Sequence, residues 1–114
     1  MKSRSSAQTV SILRIPVVPG AEEEFARAFA EIGVFDYCVR HPGFRSGRVL
    51  QPAASGEPFV VIAEWDRPVA YDGWLEDPVR GQLQAAVSEY VSGEITGAVY
   101  FDVSDGNALS GAGG

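Results

Sequence analysis

Two tryptophans and a tyrosine, Trp65, Tyr71 and Trp74, lie close together in the stretch FVVIAEWDRPVAYDGWLEDPVRGQL (59–83). An apolar run ends in Trp65, and Asp66 and Pro68 supply signals for a helix start. Tyr71 and Trp74 follow at helical spacing, and Asp77-Pro78 restarts the helix after a kink. The pattern gathers three aromatic rings at one strand-to-helix corner. Such a corner offers flat walls, indole N–H donors and a phenolic hydroxyl. A planar aromatic molecule could lie between those walls and have an oxygen hydrogen-bonded there. The same residues would also serve simply to seal a helix against a sheet.

His41 is the one histidine, and its ordinary pKa lies near neutrality, so it is the candidate general base. It sits between a helix end and a Pro-Gly turn, and no sequence feature pairs it with a second catalytic group. That position favours a solvent-facing role. Gln84 is a candidate polar group of the pocket or an exposed helix residue. Arg45 and Arg48 could meet an acidic substrate, or guard an edge strand. Arg14 and Glu64 are expected on the same sheet face, where they could pair across adjacent strands.

These groups need elements to position them. Gln8 to Val17 alternates as a strand, with Ser11, Leu13 and Ile15 on one face and Val10, Ile12 and Arg14 on the other. Pro19-Gly20 is a turn. Ala21 to about Arg40 reads as a helix with Phe25, Phe29 and Ile32 as its apolar stripe. Glu22, Glu23 and Glu24 suit its first turn, and Glu23–Arg27 and Asp36–Arg40 are spaced as i,i+4 pairs. Gly33 is a point for a bend. Pro42 stops the helix. Phe44 to Gln51 is a second strand, Pro52 to Glu57 a hairpin loop, and Pro58 to Trp65 a third and central strand. A second helix runs from about Pro68 to Ser92, broken near Pro78, with Leu83, Val87, Tyr90 and Val91 as its stripe. Gly93 is its expected stop, and Ile95 to Val103 is the fourth strand. The order β-α-β-β-α-β is the ferredoxin-like unit, an α+β fold with a four-stranded antiparallel sheet and two helices on one face.

The bare face of that sheet would carry Val10, Ile12, Val60, Ile62 and Tyr100, too apolar for water. A second copy of the sheet is the simplest cover, which makes the expected assembly a homodimeric α+β barrel. Residues 1–7 and 104–114 are polar or Gly/Ser-rich and are expected to be disordered, leaving 8–103 as the folded domain. The formal charge of −6 and nine scattered basic residues argue against nucleic acid. No apolar stretch approaches the roughly 18 residues of a membrane span. A single cysteine, Cys38, and a single histidine leave no disulfide and no Cys- or His-based metal centre. The expectation is a cytoplasmic domain with no metal or cofactor of its own.

The corner spacing EW-x5-Y-x2-WL-x2-P from Glu64, the HPGF turn at 41–44 and the topology together resemble the antibiotic biosynthesis monooxygenase family across about residues 8 to 103. The resemblance implies a dimeric barrel and a choice among chemistries. Members that degrade haem share a tryptophan like Trp74. They carry an axial histidine ten residues later, where this chain has Gln84, and an asparagine on the first strand, where it has Leu13. Lacking that imidazole, the chain departs from the haem pattern. Quinone-forming members, which use O2 without a cofactor, share a tryptophan like Trp65 and a tyrosine like Tyr71. They place an asparagine four residues before that tryptophan, and this chain has Val61. The resemblance thus implies a monooxygenase turning an anthrone-type phenol into a quinone. Trp65, Tyr71 and His41 are the catalytic candidates, and Trp74, Gln84, Val61, Leu13 and Phe29 the candidates for binding substrate. A cyclase or isomerase on the same scaffold, and a non-catalytic dimeric binding module, are the alternatives.

Overall fold

The computed structural model describes residues 8–104 of the chain. Four strands, β1 (Thr9–Ile15), β2 (Phe44–Leu50), β3 (Phe59–Trp65) and β4 (Thr96–Phe101), form one antiparallel sheet in the order β2-β3-β1-β4. The register sets Ser11 opposite Ala63, Leu13 opposite Val61 and Ile15 opposite Phe59. Because side chains alternate along a strand, these six point to one face. That face is the covered one. Ile15, Phe59, Val61, Ala63 and Trp65 are buried there, against Phe25, Phe29, Cys38 and Val87 from the helices.

Each predicted helix is broken once. The first divides into α1 (Glu22–Ile32) and α2 (Val34–Cys38) at Gly33, whose φ of 68° is left-handed. Glycine takes that conformation without a Cβ penalty, so the bend falls at the residue that can make it. Phe25 and Phe29 form the buried stripe of α1, and the Phe25 ring meets Phe59 edge-on at 4.9 Å. The second helix divides into α3 (Pro68–Leu75) and α4 (Pro78–Ala86). Pro78 lacks the N–H that would continue α3, and Asp77 caps α4 by accepting from the Val79 N–H at 2.9 Å.

Several local expectations are corrected. The second helix ends at Ala86 rather than Ser92; a short 3-10 turn follows (Ser88–Tyr90), so Gly93 is not its stop. The chain leaves the helix early because Val91 bridges back to Val17, and a strand-like bridge competes with further helical turns. Arg67, not Asp66, is the N-cap of α3, in an extended conformation with no side-chain cap. Among the described residues the ion pairs are His41–Asp77 and Arg67–Asp66, so Glu23–Arg27 and Asp36–Arg40 do not form. Arg40 lies instead over the Tyr37 ring, 5.2 Å from its centroid. Arg14 and Glu64 share a face but not a position. Arg14 stands opposite Val60, while Glu64 accepts hydrogen bonds from Gln8 at 2.8 Å and Ser46 at 3.0 Å. Arg45 and Arg48 are exposed on β2, an edge strand as expected.

The helix-free face carries Val10, Ile12, Val60 and Ile62, all half-buried at best in the single chain, and Tyr100, 51% exposed. The expectations for 1–7 and for 105–114 lie outside the described residues.

Candidate active site

A cavity opens between the covered face of the sheet and the broken helices. β1 supplies Ser11 and Leu13, β3 supplies Val61, Ala63 and Trp65, and α1 and α2 supply Phe29, Phe35 and Cys38. The remaining wall comes from α3 (Tyr71, Trp74, Leu75) and α4 (Arg80, Leu83, Gln84). The aromatic corner read from the sequence is therefore a cavity wall, as are Leu13, Phe29, Val61 and Gln84. The cavity has a volume of about 80 Å³. That is below the roughly 300 Å³ of a pocket for a drug-sized ligand. The site is not packed solid. A three-ring molecule would nevertheless have to displace rim side chains such as the exposed Leu75 and Gln84.

Trp65 is fully buried, and its role differs from the expected one. Its ring meets Phe44 at 5.1 Å and Tyr71 at 5.7 Å. Its indole N–H donates to Ser11 Oγ at 3.2 Å, and that hydroxyl donates on to the Ala63 carbonyl at 3.5 Å. An N–H held by the protein's own hydroxyl is not a free donor for a ligand. The sequence could not show this, because Ser11 and Trp65 meet only through the β1–β3 register.

Tyr71 is half-buried. Burial pushes its phenol above the ordinary value, the Arg80 charge draws it back, and Asp72 adds to the rise. At neutral pH it is a neutral hydroxyl that can donate. Arg80 had no place among the sequence candidates. It lines the cavity from the first turn of α4, and its Nε atom is buried without a hydrogen-bond partner. The one signal for it was its position two residues after the helix-restarting Pro78. Cys38 is also buried, and burial, followed by the nearby Asp77 charge, pushes its thiol up to about 12. It is inert rather than nucleophilic near neutrality.

His41 stands apart from the cavity wall, behind Trp74, whose ring it meets edge-on at 5.5 Å. It is also not the unpaired, solvent-facing residue expected. Its Nε2 lies 2.8 Å from Asp77 Oδ2, with side-chain exposures of only 17% and 15%. The Asp77 carboxyl is held below its ordinary value first by the Val79 N–H and then by hydrogen bonds from His41 and Tyr37. The pair ties the end of α2 to the α3–α4 kink, and so braces two parts of the cavity wall. Asp77 was visible in the sequence only as a helix cap; its second partner is 36 residues away.

The sequence model of the antibiotic biosynthesis monooxygenase family matches residues 9–87. The chain belongs to that family. The cofactor-independent oxygenase SnoaB from Streptomyces nogalater is similar in structure, with a TM-score of 0.67 and 22% identity over 82% of this chain and 91% of that one. The monooxygenase from the gene ActVA-Orf6 of Streptomyces coelicolor, solved with the ligand nanaomycin D, gives 0.69 and 23% over 85% and 88%. Rv0793 from Mycobacterium tuberculosis gives 0.70 and 17% over 88% and 99%. At such identities these likenesses establish the fold. No curated protein sequence matches the chain. Among the described residues, no helix is long and apolar enough to cross a membrane.

Proposed function

We propose that the protein is a cofactor-independent monooxygenase that converts an anthrone-type aromatic phenol to a quinone with O2. The observation that carries this reading is the apolar cavity walled by Trp65, Tyr71 and Trp74 in a member of a monooxygenase family. In the reaction, the substrate's activated CH2 loses a proton to give a stabilised carbanion. One electron passes to O2, and the substrate radical and superoxide recombine into a carbon-bound peroxide. Protonation, loss of the second C–H proton and O–O cleavage then release water and leave the carbonyl. The two substrate hydrogens and one oxygen atom depart as water; the other oxygen stays in the quinone.

The chain's contribution is to bury a flat anion away from water and to stabilise its charge. Tyr71, kept protonated by burial, can donate to the substrate oxygen on which the negative charge collects. Trp65 and Trp74 supply stacking walls, with Trp65 held rigid by Ser11. His41, outside the cavity, takes no proton from the substrate, whose own acidity permits deprotonation on binding. A second copy of the chain is proposed to cover the helix-free sheet face. Burying Val10, Ile12, Val60, Ile62 and Tyr100 twice over should remove more than roughly 1,200 Å² from water, the scale of a stable interface.

Oxygen uptake with a panel of anthrones, in protein stripped of flavin and metal, tests the oxygenase. Turnover above the buffer rate is expected. Uptake no faster than buffer, or strictly dependent on added flavin or iron, refutes it; slow cyclisation of a polyketide-like substrate would then favour the cyclase. For the dimer, sedimentation at micromolar concentration should give twice the chain mass, and a clean single-chain mass refutes it.

A further inference from the structure

One full charge stands in a largely apolar cavity wall. Arg80 projects from the first turn of α4, its Nε is shut off from solvent, and that donor has no hydrogen-bond partner. Among the described residues no carboxylate lies within ion-pair distance of it. A guanidinium normally reaches water or pairs with an acid when it is drawn inside, because a desolvated, unmatched donor is costly. Arg80 does neither. The hydroxyl of Tyr71 lies near enough to feel its charge, and Gln84 lies one helical turn further along α4, at the mouth. Charge, hydroxyl and amide therefore line one side of a cavity whose remaining wall is largely apolar.

We infer that Arg80 and Tyr71 form an anion-binding subsite, and that the cavity takes a flat aromatic molecule carrying a carboxylate. The planar fork of a guanidinium offers two parallel N–H donors with the spacing of the two carboxylate oxygens, a match that a phenol's single oxygen lacks. The buried Nε would be one of the two donors. A carboxylate placed there would satisfy it while the rings lie along Trp65 and Trp74. This inference rests on the proposed reading of the cavity as the substrate site, and narrows the substrate from a phenol to an aromatic acid.

The test is equilibrium binding of anthraquinone-2-carboxylate and of its neutral carboxamide, followed by calorimetry and by quenching of tryptophan fluorescence. Wild-type protein should bind the acid about 10- to 100-fold more tightly than the amide, the range expected for a hydrogen bond to a charged group. Arg80→Gln should erase that preference, and Arg80→Lys should keep part of it. The thermal melt of Arg80→Gln should match or exceed wild type, since the substitution removes a buried Nε donor that has no partner. Should Arg80→Gln fail to fold, loss of the bidentate advantage in Arg80→Lys still decides the matter. Equal binding of acid and amide to wild type, a preference that survives in Arg80→Gln, or no binding of either compound overturns the inference. Uptake of O2 with a neutral anthrone separates the two readings. If it persists while the acid preference is absent, only the subsite falls. If acid binding persists without oxygen uptake, the oxygenase falls and the subsite stands.

Discussion

Replacing Trp65 with phenylalanine should cost stability through Ser11. Trp65 is fully buried, Ser11 is 8% exposed, and the 3.2 Å bond between them is the indole's polar contact. Trp65→Phe removes that bond, worth about 1 kcal/mol net. It also opens roughly 40 Å³ beside Phe44 and Tyr71, worth about 1 kcal/mol at about 24 cal/mol per Å³. The sum, about 2 kcal/mol, should lower the melting temperature by about 8–16 °C in a domain of this size. Ser11→Ala in the wild-type background leaves a buried N–H without a partner, costing about 1–3 kcal/mol. In the Trp65→Phe background no N–H remains to be orphaned, so the same change should cost under about 1 kcal/mol. Chemical denaturation of the four proteins in the cycle should therefore give a coupling of about 1–2 kcal/mol. If Ser11→Ala costs the same in both backgrounds, the bond contributes nothing. If Trp65→Phe keeps wild-type stability but turns over a hundredfold more slowly, the indole N–H serves substrate rather than Ser11, and the assignment is wrong.

Further outcomes follow from other contacts. At Gly47 a Cβ would run into the Phe35 ring, so Gly47→Ala should destabilise by about 1–3 kcal/mol, as overpacking does, and disturb the cavity wall; an unchanged denaturation midpoint would contradict this. Cys38 should resist alkylation in native protein at pH 8 and react quickly once unfolded. Its thiol is raised to about 12, so the stability it contributes is full below the ordinary thiol value and declines as pH climbs from about 9 toward 12; Cys38→Ala should flatten that alkaline loss, as urea melts across pH would reveal. The Asp77 carboxyl is lowered, so its stabilisation is present above the ordinary carboxylate value and is lost as pH falls below it through the folded-state pKa. Asp77→Asn, which can still cap Val79, should weaken that acid-side dependence; an identical acid limb in both proteins would show that the contacts of Asp77 carry no linkage.

Local chemistry was legible in the sequence wherever a residue acts on its own neighbourhood. Alternation along Gln8–Val17 and Pro58–Trp65 assigned each side chain to a sheet face, because the strand period is two. Gly33 and Pro78 marked both helix breaks, since only glycine enters the left-handed region cheaply and proline cannot donate to the preceding turn. The spacing of Trp65, Tyr71 and Trp74 placed the aromatic corner. The end of the second helix was harder to read. Ala86 rather than Ser92 closes it because Val91 finds Val17, a partner distant in the chain.

Tertiary structure alone decided what each polar group in that corner is free to do. Ser11 holds the Trp65 N–H because the β1–β3 register sets Ser11 opposite Ala63, two residues before Trp65, on the same face. His41 finds Asp77 because the fold brings the turn after α2 against the α3–α4 kink, 36 residues away in sequence. The Nε of Arg80 is unmatched because no acceptor reaches it among the described residues, which no local pattern can reveal. Residue types and their spacing determine which side chains share a face. Whether a donor on that face is spent or available depends on which distant partner the folded chain brings within about 3 Å, since a hydrogen bond is short-ranged and its partners here lie tens of residues apart.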